Sequence, residues 1–421
     1  MARQRWRPSA PDVLPADSGC PGLPARHHGM PLRPATPGSR RRRLLLGAGA
    51  AASMSAAPWP LRAAGEELVV AQVASLSGPN GADLGQGLRS GIEACFREVN
   101  AAGGVNGRPL RLVSRDDRYV PGETVRLTRQ AIEQDKPVAL IGYRGTANTL
   151  ALVESGLLPA RRITLVGTLT GARELQGAPG VLHLRTSYER ELSELILQIR
   201  RLTLDRIAVL HAGDAFGRTG LAAVRQAAAA SSTAIESEVA YDKAPDKAAG
   251  SVAAAARDIA ATAAKAVVLV AVGEPVYSFI RAFRPLARSV QIFCMSVVEP
   301  AAVVQRCGEA LAAGIGFSQV FPFPHSEKVA LVRAYRAALR QLPEAPAPGY
   351  FSLEGYVYAR VLASVLNRTS EPVSQARVSA AADALTPLDL GGLRVQIDPL
   401  SRNGMRYTDL TILDREGRLV S

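Results

Sequence analysis

Three turns place small, hydroxyl-bearing residues where a short apolar run gives way to a new segment. They read Ser75-Leu76-Ser77-Gly78-Pro79-Asn80-Gly81, Gly142-Tyr143-Arg144-Gly145-Thr146-Ala147-Asn148-Thr149 and Gly167-Thr168-Leu169-Thr170-Gly171. Two of them set hydroxyls and free backbone N–H groups near a helix start. The first N–H groups of a helix have no partner within it, so such a place suits an anion. Each turn taken alone also reads as an N-cap, the commoner use of Ser and Thr. Several at one sheet edge point to a binding cleft, with Ser77, Tyr143, Arg144, Thr146, Thr168, Leu169 and Thr170 as its candidate residues.

Other chemistry finds little support. Gly85-Gln86-Gly87-Leu88-Arg89-Ser90 approaches a dinucleotide fingerprint, but it ends in Ser and lacks an acidic partner. The chain has no GxxxxGK[ST], GxSxG or HExxH motif. Beyond the first 65 residues the histidines are His183, His211 and His325, in no catalytic arrangement. Asp116-Asp117 could be paired carboxylates or a charged strand end in solvent. No Cys or His spacing suits a metal, so neither a metal nor another cofactor is expected, and the chain does not read as an enzyme. Cys95 falls on the apolar face of a helix, whereas a Cys294–Cys307 disulfide stays open.

The elements carrying these turns alternate. Leu68–Val73, Leu110–Val113, Val138–Gly142 and Ile163–Val166 read as strands, with helical periods through Leu88, Ile92, Cys95, Phe96 and Val99 and over 122–135 between them. A second series follows Arg185, with strands at Ile207–Leu210, Ile235–Tyr241, Ala266–Val272 and Gln291–Cys294. Helices over 326–342 and through Leu353, Val357, Val361 and Val365 come later. The pattern is α/β, two doubly wound parallel-sheet units in tandem. In such sheets ligands bind outside the carboxyl ends of the strands, where the three turns lie.

Of 421 residues carrying a net charge of +13, the first 65 hold ten Arg against Asp12 and Asp17. The remainder is only mildly basic and has no basic stripe, which excludes a nucleic-acid binder. Ser39-Arg40-Arg41-Arg42-Arg43 precedes an apolar run from Leu44 to Ala57, about 14 residues, too short to span a bilayer. This fits a cleavable twin-arginine export signal, with cleavage at Ala63-Ala64-Gly65 just before Glu66. Residues 1–29 have no hydrophobic period and read as disordered, unless translation starts at Met30.

In order along the chain, several segments resemble the type I periplasmic binding proteins of the leucine/isoleucine/valine class. They are Leu76-Ser77-Gly78-Pro79, the helix exit Asn100-Ala101-Ala102-Gly103-Gly104-Val105-Asn106-Gly107, and Asp116-Asp117. Ile141-Gly142-Tyr143, Thr168-Leu169-Thr170-Gly171-Ala172, Leu184-Arg185-Thr186-Ser187-Tyr188 and Phe351-Ser352-Leu353-Glu354-Gly355-Tyr356 continue the series over residues 66–421. The resemblance implies two lobes joined by three crossings, near Arg185–Tyr188, Gly314–Phe317 and Leu393–Asp398. The lobes would be 66–186 with 316–394, and 187–315 with 395–421.

It also implies a monomeric periplasmic protein that captures a small carboxylate-bearing, amino-acid-like ligand for an ABC permease and its ATPase. A sensor working through a membrane receptor, or a binder of an amide or aromatic acid, is the alternative. By resemblance, Thr146 and Thr170 donate to the ligand carboxylate, and Thr168 and Leu169 belong to the same ligand turn. Tyr188 sits at the hinge, Phe216 lines the side-chain pocket, and Arg144 pairs an acidic ligand or is solvated. The class sets an acidic residue against the ligand ammonium; here Glu299 comes one or two positions late, so a ligand without an ammonium is also open.

Overall fold

The computed structural model describes residues 66–78, 81–244 and 246–420. The expected leader, with its arginines and the cleavage expected before Glu66, lies outside the described residues. From Leu68 to Leu182 the chain runs β1 (Leu68–Ala74), α1 (Ala82–Ala101), β2 (Leu110–Asp116), α2 (Pro121–Gln134), β3 (Ala139–Arg144), α3 (Thr146–Glu154), α4 (Leu157–Arg161), β4 (Leu165–Leu169) and β5 (Val181–Leu182). The strands form one parallel sheet in the order β2-β1-β3-β4-β5. β1 and β3 are apolar runs buried almost throughout, as strands covered by helices on both faces must be.

The second series runs α5 (Tyr188–Arg201), β6 (Arg206–Ala212), α6 (Ala215–Ser231), β7 (Ala234–Tyr241), α7 (Ala248–Ala260), β8 (Ala266–Val270), α8 (Glu274–Phe283), β9 (Gln291–Cys294), α9 (Pro300–Cys307), α10 (Glu309–Ala312) and β10 (Gly316–Gln319). Three helices follow, α11 (Ala330–Leu339), α12 (Tyr350–Asn367) and α13 (Gln375–Asp383), then the small pair β11 (Leu388–Asp389) and β12 (Arg394–Val395). β13 (Asp409–Leu413) and β14 (Leu419–Val420) end the chain and complete a second sheet, β14-β13-β10-β9-β8-β6-β7. Within it β6 to β10 are parallel, while β13 and β14 are antiparallel.

Although α12 comes late in the chain, it packs on α1 of the first series. Leu88, Ile92, Cys95 and Phe96 form the buried stripe of α1, and each fully buried Leu, Ile or Phe contributes roughly 1.5–3 kcal/mol. The approach is close enough to need glycine, since a Cβ on Gly91 would stand 1.8 Å from the Ser352 carbonyl oxygen.

Two expected boundaries move. Residues 316–319 are not the return to the first lobe, because Gly316 and Phe317 pair with β9 and the whole of β10 pairs with β13. The return comes after Gln319. Residues 401–404 also stay with the first sheet, along the edge of β5. There Asn403 lies opposite His183, whose N–H donates to the Arg402 carbonyl at 2.9 Å while its own carbonyl takes the Gly404 N–H at 2.9 Å. The third crossing therefore follows Gly404 rather than lying at 393–398. The open disulfide is also settled: Cys294 is buried on β9, Cys307 reaches the Tyr277 carbonyl at 3.7 Å, and both are free.

Candidate ligand-binding cleft

β3 ends in Tyr143 and Arg144, whose side chains part company. Tyr143 turns into the core, where its hydroxyl meets Thr128 Oγ1 at 2.9 Å. Arg144 turns toward the second sheet, with its guanidinium carbon 4.5 Å from the ring centroid of Tyr119. Gly145 follows with φ of 94°, and a Cβ there would stand 2.6 Å from Tyr119 Cε2. Only glycine both adopts that backbone and leaves the ring its place.

Thr146 opens α3, and its Oγ1 lies 2.8 Å from Thr170 Oγ1. Thr170, just past β4, also accepts the Ala172 N–H at 3.3 Å and hydrogen-bonds the hydroxyl of Tyr188. The Tyr188 N–H donates to the Gly171 carbonyl at 2.9 Å, fixing the start of α5 beside this turn. Tyr188 meets Phe216, in the first turn of α6, edge to face at 5.6 Å between centroids.

Leu84, Tyr119, Arg144, Gly145, Thr146, Leu169 and Tyr188 line one side of a small cavity, and Phe216, Val272 and Val297 the other, with about 20 Å³ of free volume between them. Apart from Tyr188, in the first turn of α5, the first group lies at or beyond the carboxyl ends of β1 to β4 and the second beyond those of β6, β8 and β9. Arg144 is the single charged side chain among the lining residues. Burial holds its guanidinium below the ordinary value, with Tyr119 and Asp83 opposing, yet an arginine so placed stays protonated at pH 7. Burial pushes the phenols of Tyr119 and Tyr188 up to about 12, so both remain hydroxyl donors. A wider groove of about 400 Å³ runs between α5 and the β13–β14 edge. It lies away from the strand ends where the hydroxyls and Arg144 converge.

Of the residues expected from sequence, Arg144, Thr146, Leu169, Tyr188 and Phe216 line the cavity, and Thr170 stands behind Thr146. The other four lie away from it. Tyr143 is in the core. Thr168 faces away from the cavity, its hydroxyl 3.0 Å from that of Thr149. The Ser77 hydroxyl donates to Asp116 Oδ2 at 2.5 Å on an exposed loop. Glu299 lies at the start of α9 and accepts the Tyr350 N–H at 3.0 Å.

Tyr119 was missed. Asp117 places it: Oδ1 takes the Tyr119 N–H at 2.9 Å, while Oδ2 takes the hydroxyl of Thr124 at 2.6 Å and the amide of Asn148 at 3.1 Å. Asp116-Asp117 thus shapes a turn and is no carboxylate pair. The sequence signal was that doublet followed by an aromatic residue.

A family model described as "Periplasmic binding protein" matches residues 67–413. The structure resembles that of an extracellular ligand-binding receptor from Verminephrobacter eiseniae, at 28% identity and a TM-score of 0.79, covering 84% of this chain and 100% of that one. A substrate-binding periplasmic protein from Ralstonia solanacearum is 30% identical, with a TM-score of 0.79 and coverage of 84% and 99%. The fold is shared with a branched-chain amino acid ABC transporter protein from Thermus thermophilus solved with bound valine, at 18% identity and a TM-score of 0.73, covering 84% and 94%. A Pseudomonas aeruginosa protein described as "Amino acid binding protein" is 31% identical over 85 residues, 20% of this chain. The match spans only 23% of that relative's length.

Proposed function

This chain belongs to the periplasmic binding protein family, and from that premise we propose that it captures a small carboxylate with an apolar or amide body in the periplasm and delivers it to an ABC permease with its ATPase. One observation carries the ligand class: the cavity sets Arg144 and the hydroxyls of Thr146 and Tyr188 against a wall of Leu84, Leu169, Phe216, Val272 and Val297. A carboxylate seated at the polar end gains charge-assisted hydrogen bonds. The apolar body is then removed from water against the aliphatic wall. A buried ammonium would need a carboxylate or several acceptors. Among the described residues lining the cavity no carboxylate is present, and Glu299 is engaged at α12. The reading thus favours the deaminated acid over the amino acid. Delivery requires export, for which the arginines at 40–43 are the proposed twin-arginine signal.

Titration calorimetry of the mature protein tests the assignment, with leucine, valine and phenylalanine set beside 4-methylpentanoate, 3-methylbutanoate and 3-phenylpropanoate. The acids are expected to bind at least tenfold more tightly than the parent amino acids, and Arg144→Met to abolish the preference. Tight binding of the amino acids alone would restore an ammonium partner and overturn the ligand class. No heat from any of the six, with a normal melt, would remove the cavity from consideration.

A further inference from the structure

Arg118 and Tyr119, between β2 and α2, both hold left-handed backbone, at φ of 49° and 63°. Neither is glycine, and two such residues in succession are costly unless their surroundings fix them. Two carboxylates do so here. Asp116 Oδ1 accepts the Arg118 N–H at 2.9 Å, and Asp117 Oδ1 accepts that of Tyr119 at 2.9 Å. The turn carries the Tyr119 ring from the end of β2 past β1 to that of β3, where the Arg144 guanidinium lies over it at 4.5 Å. From the second sheet Lys243, its charge met by Asp214 Oδ2 at 2.5 Å, stands 4.2 Å from the same centroid. Strain kept beside a cleft points to use.

We propose that Tyr119 is a positioning residue for Arg144: the strained turn holds the ring against the guanidinium, and the ring keeps that group at the cavity wall, facing the ligand. A guanidinium stacked on a ring uses no N–H in the contact and keeps its whole charge. A carboxylate in the same place would engage the N–H groups and offset the charge. The hold is needed because the arginine side chain is long and flexible, and the charges of Asp83 and Asp117 act on it as well. Asp117 therefore works at one remove. It fixes the ring through the Tyr119 N–H, and the ring keeps the arginine from turning toward that same carboxylate.

The inference rests on the proposed carboxylate reading of the cleft. Two probes of one shape test it, 4-methylpentanoate and its amide 4-methylpentanamide, titrated into the full mature protein. The wild type should prefer the acid by about a hundredfold, as expected for hydrogen bonds to a charged group. Tyr119→Leu should cut that ratio about tenfold, the scale of a desolvated cation–π contact, and Tyr119→Phe should keep it. Should the leucine variant fail to fold, Tyr119→Asn removes the ring with a residue that tolerates left-handed backbone. Acid and amide weakened alike, or neither weakened, would make the ring no more than cavity wall and overturn this inference alone. So would a phenylalanine variant as unselective as the leucine one. A wild type without preference for the acid overturns the carboxylate reading and this inference with it.

Discussion

Glu299 Oε2 accepts the backbone N–H of Tyr350 at 3.0 Å, so a residue ahead of α9 caps α12 on the opposite side of the cleft. The free N–H groups at the start of α12 supply the positive end of a helix dipole, a natural seat for a carboxylate. Burial, with the charge of Asp83 adding to it, nevertheless pushes this carboxyl up to about 7 from an ordinary 4.5.

A folded-state value above the unfolded one means that the native protein holds a proton the unfolded chain has released between about pH 4.5 and 7. Stability contributed by Glu299 is therefore full at low pH and falls as pH rises through 7, by on the order of 2–3 kcal/mol. Urea unfolding at pH 5 and pH 8 should give a smaller pH difference for Glu299→Gln than for the wild type. Identical differences would dissociate the residue from the pH response.

Thr146 and Thr170 touch through their hydroxyls inside the cleft. Thr146→Ala should weaken binding of the preferred acid about tenfold, the scale of one hydrogen bond to a charged group. Thr170→Ala should weaken it less, because Thr170 acts through its neighbour. Calorimetry with both variants checks the order, and reversed magnitudes would place the carboxylate nearer β4.

Gly145 cannot accept a side chain without displacing Tyr119. Gly145→Ala should destabilise the protein by on the order of 1–3 kcal/mol, because its backbone suits glycine alone. It should also reduce affinity by more than the lost stability explains, since the ring leaves the cavity. A melt and a titration on the same sample separate the two effects.

Arg185, at the first crossing, donates to Glu354 of α12 at 2.6 Å, and both side chains are 1% exposed. Ser296 and Glu191 extend this buried cluster into the second sheet. Glu354→Ala should cost about 3–5 kcal/mol, because it leaves the guanidinium charge buried without its carboxylate. A denaturant midpoint close to that of the wild type would contradict this.

Much of the fold was legible because the two periods differ so clearly. Runs such as Leu68–Val73 and Ala266–Val270 are long, apolar and bounded by turns, and they are strands of the parallel sheets. The end of the chain was less legible. β13 pairs antiparallel with β10 from some ninety positions away, and nothing local in Leu410-Thr411-Ile412 announces a partner. Within the site, Arg144 and Thr146 could be read from their turn, but facing could not. Thr168 and Thr170 share a strand parity, and the chain bends between them, so one meets Thr149 and the other Thr146. Tyr119 and Lys243 sit in polar stretches resembling solvated loops, and only the tertiary fold brings ring and ammonium together.

The packing of α12 on α1 governs the order in which the protein can be made. α1 is complete at Ala101, but its partner begins only at Tyr350. While the intervening chain is being synthesised, α1 can lie on β2 and β3, but the face around Gly87, Gly91 and Cys95 that meets α12 stays uncovered. Contacts so far apart along the chain close late and slowly. A chain ending at residue 325 should therefore be cut readily by protease within 82–101, while one reaching residue 420 resists. An emerging chain presents a greasy stripe that a holding chaperone can grip, and the final third of the molecule releases it.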